Sequence, residues 1–165
     1  MTNGGGSLLP FYVGNFLGVS GPLPLQGTTR TDSSPGKHTV RFMGHPVAEL
    51  ENIQITVVEY TQNLKTYDHV TVELDVTSLG YTTDPPQLPD YWPRSPYPYL
   101  PPNLHVEFRN LARDVVETVW FFLRVPCGSE HFVLTRTVSP PARTGWIHDW
   151  AGTTVGMQGN FYSCS

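Results

Sequence analysis

Lysine is nearly missing from this chain: of ten basic residues only Lys37 and Lys65 are lysines. Charge of either sign is sparse, at 15% of residues, well below the level of an ordinary soluble domain. No basic cluster occurs and the formal net charge is −4. That balance argues against nucleic acid as a partner, because phosphate binding needs clustered cations. No apolar run approaches the roughly eighteen residues of a membrane-spanning helix, so no membrane partner is expected. The start, Met1 to Gly6, has neither the basic end nor the apolar stretch of a signal peptide, and there is no Asn-x-Ser/Thr sequon. These absences lead to an expectation of synthesis in the cytosol. Cysteine is scarce too. Cys127 and Cys164 do not make a disulfide framework. They allow one bridge from the tail to the turn near 127, or two separate thiols, and a reducing compartment favours the thiols.

What is abundant is turn-forming and aromatic. The 165 residues include 16 prolines, 15 glycines and 12% aromatics, which suits one turn-rich β domain with a core of its own. The longest apolar run, Val115 to Val125, is dense in β-branched and aromatic residues. Taken by period two, Val119, Phe121 and Leu123 share one face and Trp120 and Phe122 the other. Both faces are apolar in the middle, which predicts a central strand covered on each side.

Other strands follow the same rule. His38 to Met43 alternates between Pro35-Gly36 and Gly44-His45-Pro46, and Ile53, Ile55 and Val57 alternate with Gln54 and Thr56. Asn63 to Asp68 reads as a connection. The clearest signal is Val70, Val72, Leu74 and Val76 against Thr71, Glu73, Asp75 and Thr77, a strand with one solvated face. Leu104, Val106 and Phe108 alternate before the long run, and Phe132, Leu134 and Val138 share a face after it. Short strands are also expected around Trp146–Trp150, Thr153–Met157 and Phe161–Tyr162. Eight to ten short strands with frequent turns predict an all-β fold, an antiparallel β-sandwich of the jelly-roll or immunoglobulin-like kind.

Two regions depart from the strand pattern. Residues 1–36 hold eight of the glycines and only two charges, Arg30 and Asp32, with Phe11, Tyr12, Phe16 and Leu17 interleaved. They read either as the first strand or two of the sheet or as an extended apolar arm that docks on a neighbour, and the arm is the working division here. Residues 37–165 then form a single domain. Within it, residues 84–102 carry eight prolines together with Tyr91, Trp92, Tyr97 and Tyr99. Proline has no amide hydrogen to give a ladder, so this is a long stiff loop.

Chemistry is hard to find. No phosphate loop, dinucleotide fingerprint or Gly-x-Ser-x-Gly elbow is present. His105 and Glu107 share a strand face but lack further metal ligands. Cys127 and His131 are close in sequence without a third group to orient them. His148-Asp149 lies between Trp146 and Trp150, which pack on one face of a short strand. No catalytic residue, metal or cofactor is therefore assigned, and the chain is not expected to be an enzyme. The partner-binding candidates are Phe11, Tyr12, Phe16 and Leu17 of the arm and Tyr91, Trp92, Tyr97 and Tyr99 of the loop. The expectation is a structural protein that docks on protein subunits of a larger assembly, copies of itself included. A virus or phage capsid-associated protein (decoration, cement or minor capsid) is the example that fits, with the virion or another particle as its location. The alternative is a carbohydrate- or ligand-binding module that uses the aromatic loop, or Trp146, His148 and Trp150.

Overall fold

Strict alternation governs the second half of the meander from which the fold is built. In the computed structural model, which describes residues 11–18, 29–86, 100–139 and 146–165, Val70, Val72, Leu74 and Val76 are each 0% exposed. Their alternate neighbours Thr71, Glu73, Asp75 and Thr77 are half-buried. The strands in chain order are β1 (Phe11–Gly18), β2 (Thr29–Phe42), β3 (His45–Gln62), β4 (Lys65–Ser78), β5 (Tyr81–Thr82), β6 (Asn103–Arg109), β7 (Val115–Phe122), β8 (Ser129–Val138), β9 (Gly152–Gln158) and β10 (Tyr162–Ser163). One 3₁₀ turn, Trp146–His148, precedes β9, and no α-helix occurs among the described residues. All pairings are antiparallel. The first sheet has the order β1-β9-β6-β7, the second β2-β3-β4-β8, and β10 pairs with β5 in a small third sheet.

Two tight turns join the meander of the second sheet. Phe42 pairs with His45 and Gln62 with Lys65, which leaves two residues in each loop. Met43 and Gly44 have φ of 53° and 79°, and Asn63 and Leu64 have 52° and 65°. Positive φ at both central positions is the hairpin geometry whose twist matches the flanking strands, and it favours Asn-Gly. Each turn here carries one favoured residue and one side chain with a Cβ in the left-handed region. Asn63–Asp68 is thus a two-residue turn followed directly by strand.

Inward-facing residues of both sheets belong to one hydrophobic cluster. The second sheet supplies Val40, Leu50, Ile53, Ile55, Val57 and the β4 row, and the first supplies Leu104, Val106, Phe108, Val119, Phe121, Val155 and Met157. Trp146, Ile147 and Trp150 complete it at one end. The Phe108 ring lies 4.3 Å from Trp146 and 5.0 Å from Trp150.

Four expectations are corrected. First, β7 is not central: it is the edge of its sheet, and only one face is buried. Val119 and Phe121 point inward, while Trp120 is 40% and Phe122 63% exposed. Second, β2 begins at Thr29, so the boundary drawn at residue 36 falls inside a strand. Its inner face there carries Arg30 and Asp32, both buried, so apolar alternation does not reveal it. Third, the stretch 146–150 is not a strand: Trp146–His148 is a 3₁₀ turn, closed by the Asp149 amide donating to the Trp146 carbonyl at 2.9 Å. Fourth, Cys127 and Cys164 form a disulfide. The folded chain brings the turn after β7 beside the segment after β9, a proximity that depends on topology and not on spacing.

Candidate interaction surface

Because Leu104, Val106 and Phe108 all turn to the core, β6 must present Asn103, His105, Glu107 and Arg109 on the opposite face of the first sheet. Register then assembles that face row by row. His105 lies opposite Trp120 on one side and Gly156 on the other; Asn103 lies opposite Phe122 and Gln158; Glu107 lies opposite Thr118 and Thr154. The His105 and Trp120 rings are tilted, with centroids 4.7 Å apart. Glycine at 156 puts no side chain beside the imidazole.

His105 is 3% exposed although it faces away from the core. Burial pushes its pKa below the ordinary value, with the nearby Glu107 carboxylate acting in the opposite direction, so a neutral ring is favoured. Below it runs a polar network. Arg109 donates to Glu107 Oε1 and to Thr154 Oγ1, both at 3.1 Å, and the Thr154 hydroxyl donates to Glu107 at 3.0 Å. The carboxylate is thereby held and oriented. At the free side of β7, the Trp120 carbonyl accepts a hydrogen bond of 2.7 Å from Arg136 of β8. That contact occupies one of the edge strand's outward polar groups. The result is a sheet face whose β7 margin is aromatic and exposed and whose centre is closed.

The outer face of the second sheet is different in kind. Thr31, Thr56, Thr71 and Thr135 lie in one register row across all four strands. Beside them His131 is clamped by two carboxylates, Nδ1 at 2.6 Å from Asp75 and Nε2 at 2.8 Å from Glu73. The Asp75 bond, then the Glu73 bond, raises the His131 pKa. Asp75 is lowered by His131 first and by Asn52 second, Asn52 donating to it at 3.1 Å. The centre of this face is polar, and it also exposes Val58, Tyr60 and Val133 at 37%, 37% and 57%. His131 therefore has carboxylate partners in place of Cys127, which is bridged.

The sequence-predicted residues divide cleanly. Tyr12 is in register with Gly156, in the same cross-strand row as His105 and Trp120, and Phe16 is in register with Thr154, in the row of Glu107. Phe11 and Leu17 are in register with Met157 and Thr153. Residues 11–18 thus form the opposite margin of the sheet that carries Trp120. Tyr91, Trp92, Tyr97 and Tyr99 lie outside the described residues. Trp146 and Trp150, at 4% and 0% exposure, are core residues and offer no platform to a ligand. His105 and Glu107 do share a face, but among the described residues no group of three or more His, Cys, Asp or Glu is arranged to hold a metal. Trp120 and Phe122 were missed as surface residues. Their signal was available, since Thr118 and Arg124 stand on the same alternation.

Compared with protein-family models, curated proteins and solved structures, the chain matches none of them. No helix among the described residues is long and apolar enough to cross a membrane.

Proposed function

We propose that this chain is a non-enzymatic structural protein that docks on subunits of a larger assembly through the outer face of its first sheet. A virus or phage capsid-associated protein (decoration, cement or minor capsid) is the class that fits. The observation that carries this reading is the exposure of Trp120 and Phe122, 40% and 63%, on the edge strand of the first sheet. Large aromatic surface left in water on a rigid frame binds at low entropic cost, and such residues concentrate at the centres of protein interfaces. The register of β1 adds Tyr12 and Phe16 to the same rows of that sheet. The finer fold reading, a β-sandwich, is supported by the one hydrophobic cluster drawn from both sheets. Its strand order differs from that of an immunoglobulin domain, where the first two strands are neighbours; here they lie in different sheets.

The test is a pair of surface substitutions, Trp120→Ser and Phe122→Ser, followed by sedimentation of the full chain alone and with its native particle. Loss of self-association or attachment with an unchanged circular dichroism spectrum is expected. Unaltered association in both variants would refute the surface.

A second reading, a carbohydrate-binding module, has one observation in its favour. The Asn103 amide stands in register between exposed Phe122 and Gln158, so hydrogen-bonding groups flank an aromatic surface as sugar recognition requires. A glycan panel read by tryptophan fluorescence separates the two readings: a saturable response abolished by Trp120→Ser favours the module.

A further inference from the structure

The segment after β9 closes one end of the core. Phe161 is 1% exposed, with its ring 5.7 Å from Phe42, and Asn160 is 2% exposed. Gly159 passes so close to Pro102 that a Cβ would come within 3.2 Å of the proline Cα. Beyond Phe161, backbone pairing is limited to Tyr162 with Thr82, Ser163 with Tyr81, and the Cys164 amide donating to the Gly80 carbonyl at 3.0 Å. β5 is itself a two-residue strand, reached from β4 through a turn in which Ser78 Oγ accepts from the Gly80 and Tyr81 amides. β5 is anchored to the segment after β7, with the Thr82 hydroxyl and the Thr83 amide donating to the Val125 carbonyl at 2.7 and 3.1 Å and the Val125 amide donating to the Thr83 hydroxyl at 2.9 Å, so the Cys127–Cys164 bond is a separate covalent tie on residues 162–165, and both of its cysteines are exposed.

We propose that this disulfide is a redox latch on residues 162–165: oxidised, it holds them against β5; reduced, it releases them while β5 and the two large sheets persist. The proposal is independent of the docking surface. The chemistry is a two-electron exchange with a dithiol. One thiolate of the dithiol attacks a latch sulfur, the Cys127–Cys164 bond breaks, and a mixed disulfide forms. The second dithiol thiolate then displaces it, leaving Cys127 and Cys164 as thiols and the dithiol as its cyclic disulfide. Release on reduction follows because the two-residue β5–β10 ladder is too short to be stable by itself.

The experiment is hydrogen exchange of the full chain by mass spectrometry, oxidised and after dithiothreitol, with Cys164→Ser alongside. Reduction is expected to speed exchange at 162–164 by about tenfold or more, with Thr83, β3 and β4 unchanged. Cys164→Ser should reproduce that pattern without dithiothreitol and show no further response to it. Unchanged protection at 162–164 after reduction would overturn the latch, because packing alone would then hold those residues. Loss of protection spreading through β3 and β4 would overturn it equally, because the bond would then hold the whole fold. The reduced natural chain decides between these outcomes even if the serine variant does not fold.

Discussion

His105 and Trp120 face each other across the β6–β7 ladder with ring centroids 4.7 Å apart, yet the imidazole is 3% exposed and the indole 40%. The indole acts as a partial lid over a neutral histidine. Trp120→Ala should therefore cost only about 1 kcal/mol, since much of the ring stays in water in the folded chain. Trp150→Ala, at a site of 0% exposure against Phe108, should cost about 3–5 kcal/mol. Urea denaturation of both variants measures the difference. Equal losses would mean that β7 is covered on both faces after all.

Asp32 brings a charge into the interior. Burial is the main reason its pKa rises to about 7, outweighing the Ser33 amide and the Arg30 guanidinium, which both lower it. A carboxyl raised in the folded state binds its proton more tightly there than in the unfolded chain. Its contribution to stability is complete below about pH 4, is lost as pH rises toward 7, and is constant above that. Asp32→Asn should match the natural chain near pH 4 and exceed it by roughly 1–2 kcal/mol near pH 8, a figure reduced for screening by solvent. A variant weaker at pH 8 would show that the carboxylate supports Arg30 more than it suffers from burial.

The His131 clamp gives a second titration, on the surface. Its raised pKa comes first from Asp75 and then from Glu73, and the Asp75 pKa is lowered in return. The pair contributes fully between the ordinary carboxylate range and the ordinary histidine value. The contribution fades as pH rises through the raised His131 value, and also as pH falls through the lowered Asp75 value. In an NMR titration, Asp75→Asn should bring His131 back toward its ordinary value, and Glu73→Gln should do so to a smaller extent. No movement in either variant would remove the clamp as the cause.

Leu64 is 100% exposed with φ of 65°, so it gains no burial for holding a left-handed backbone. Leu64→Gly completes the Asn-Gly turn and should raise stability by about 0.5–1 kcal/mol, read as a shift in thermal midpoint. A loss would show that the extra freedom of glycine in the unfolded chain outweighs the relief of strain.

How much of this could be read beforehand depended on whether a residue's neighbours along the chain resemble its neighbours in space. β4 was legible because Val70, Val72, Leu74 and Val76 carry their own polar counterpoint. The first turns of β2 were not, because Arg30 and Asp32 occupy core-facing positions where apolar residues are the usual marker. β7 was recognised as a strand but misplaced. Alternation shows which residues share a face; Trp120 and Phe122 alone suggest a covered one, and only Thr118 and Arg124 on the same alternation point to water. The disulfide and the His131 clamp were hidden for a common reason. Cys127 and Cys164 are 37 residues apart and His131 and Asp75 are 56 apart, so each pairing exists only once the sheets have formed.

The strand orders also set a sequence of events. β2, β3 and β4 follow one another through two-residue turns, so most of the second sheet pairs residues near each other along the chain. The first sheet is the reverse: β9 sits between β1 and β6, with Met157 paired to Phe11 and to Leu104. Closing so long a loop is slow, and local pairing forms ahead of it. On the ribosome, the meander can fold while β6 and β7 wait for β9. Their apolar faces stay open to chaperones, or to other copies, until residues beyond 152 emerge.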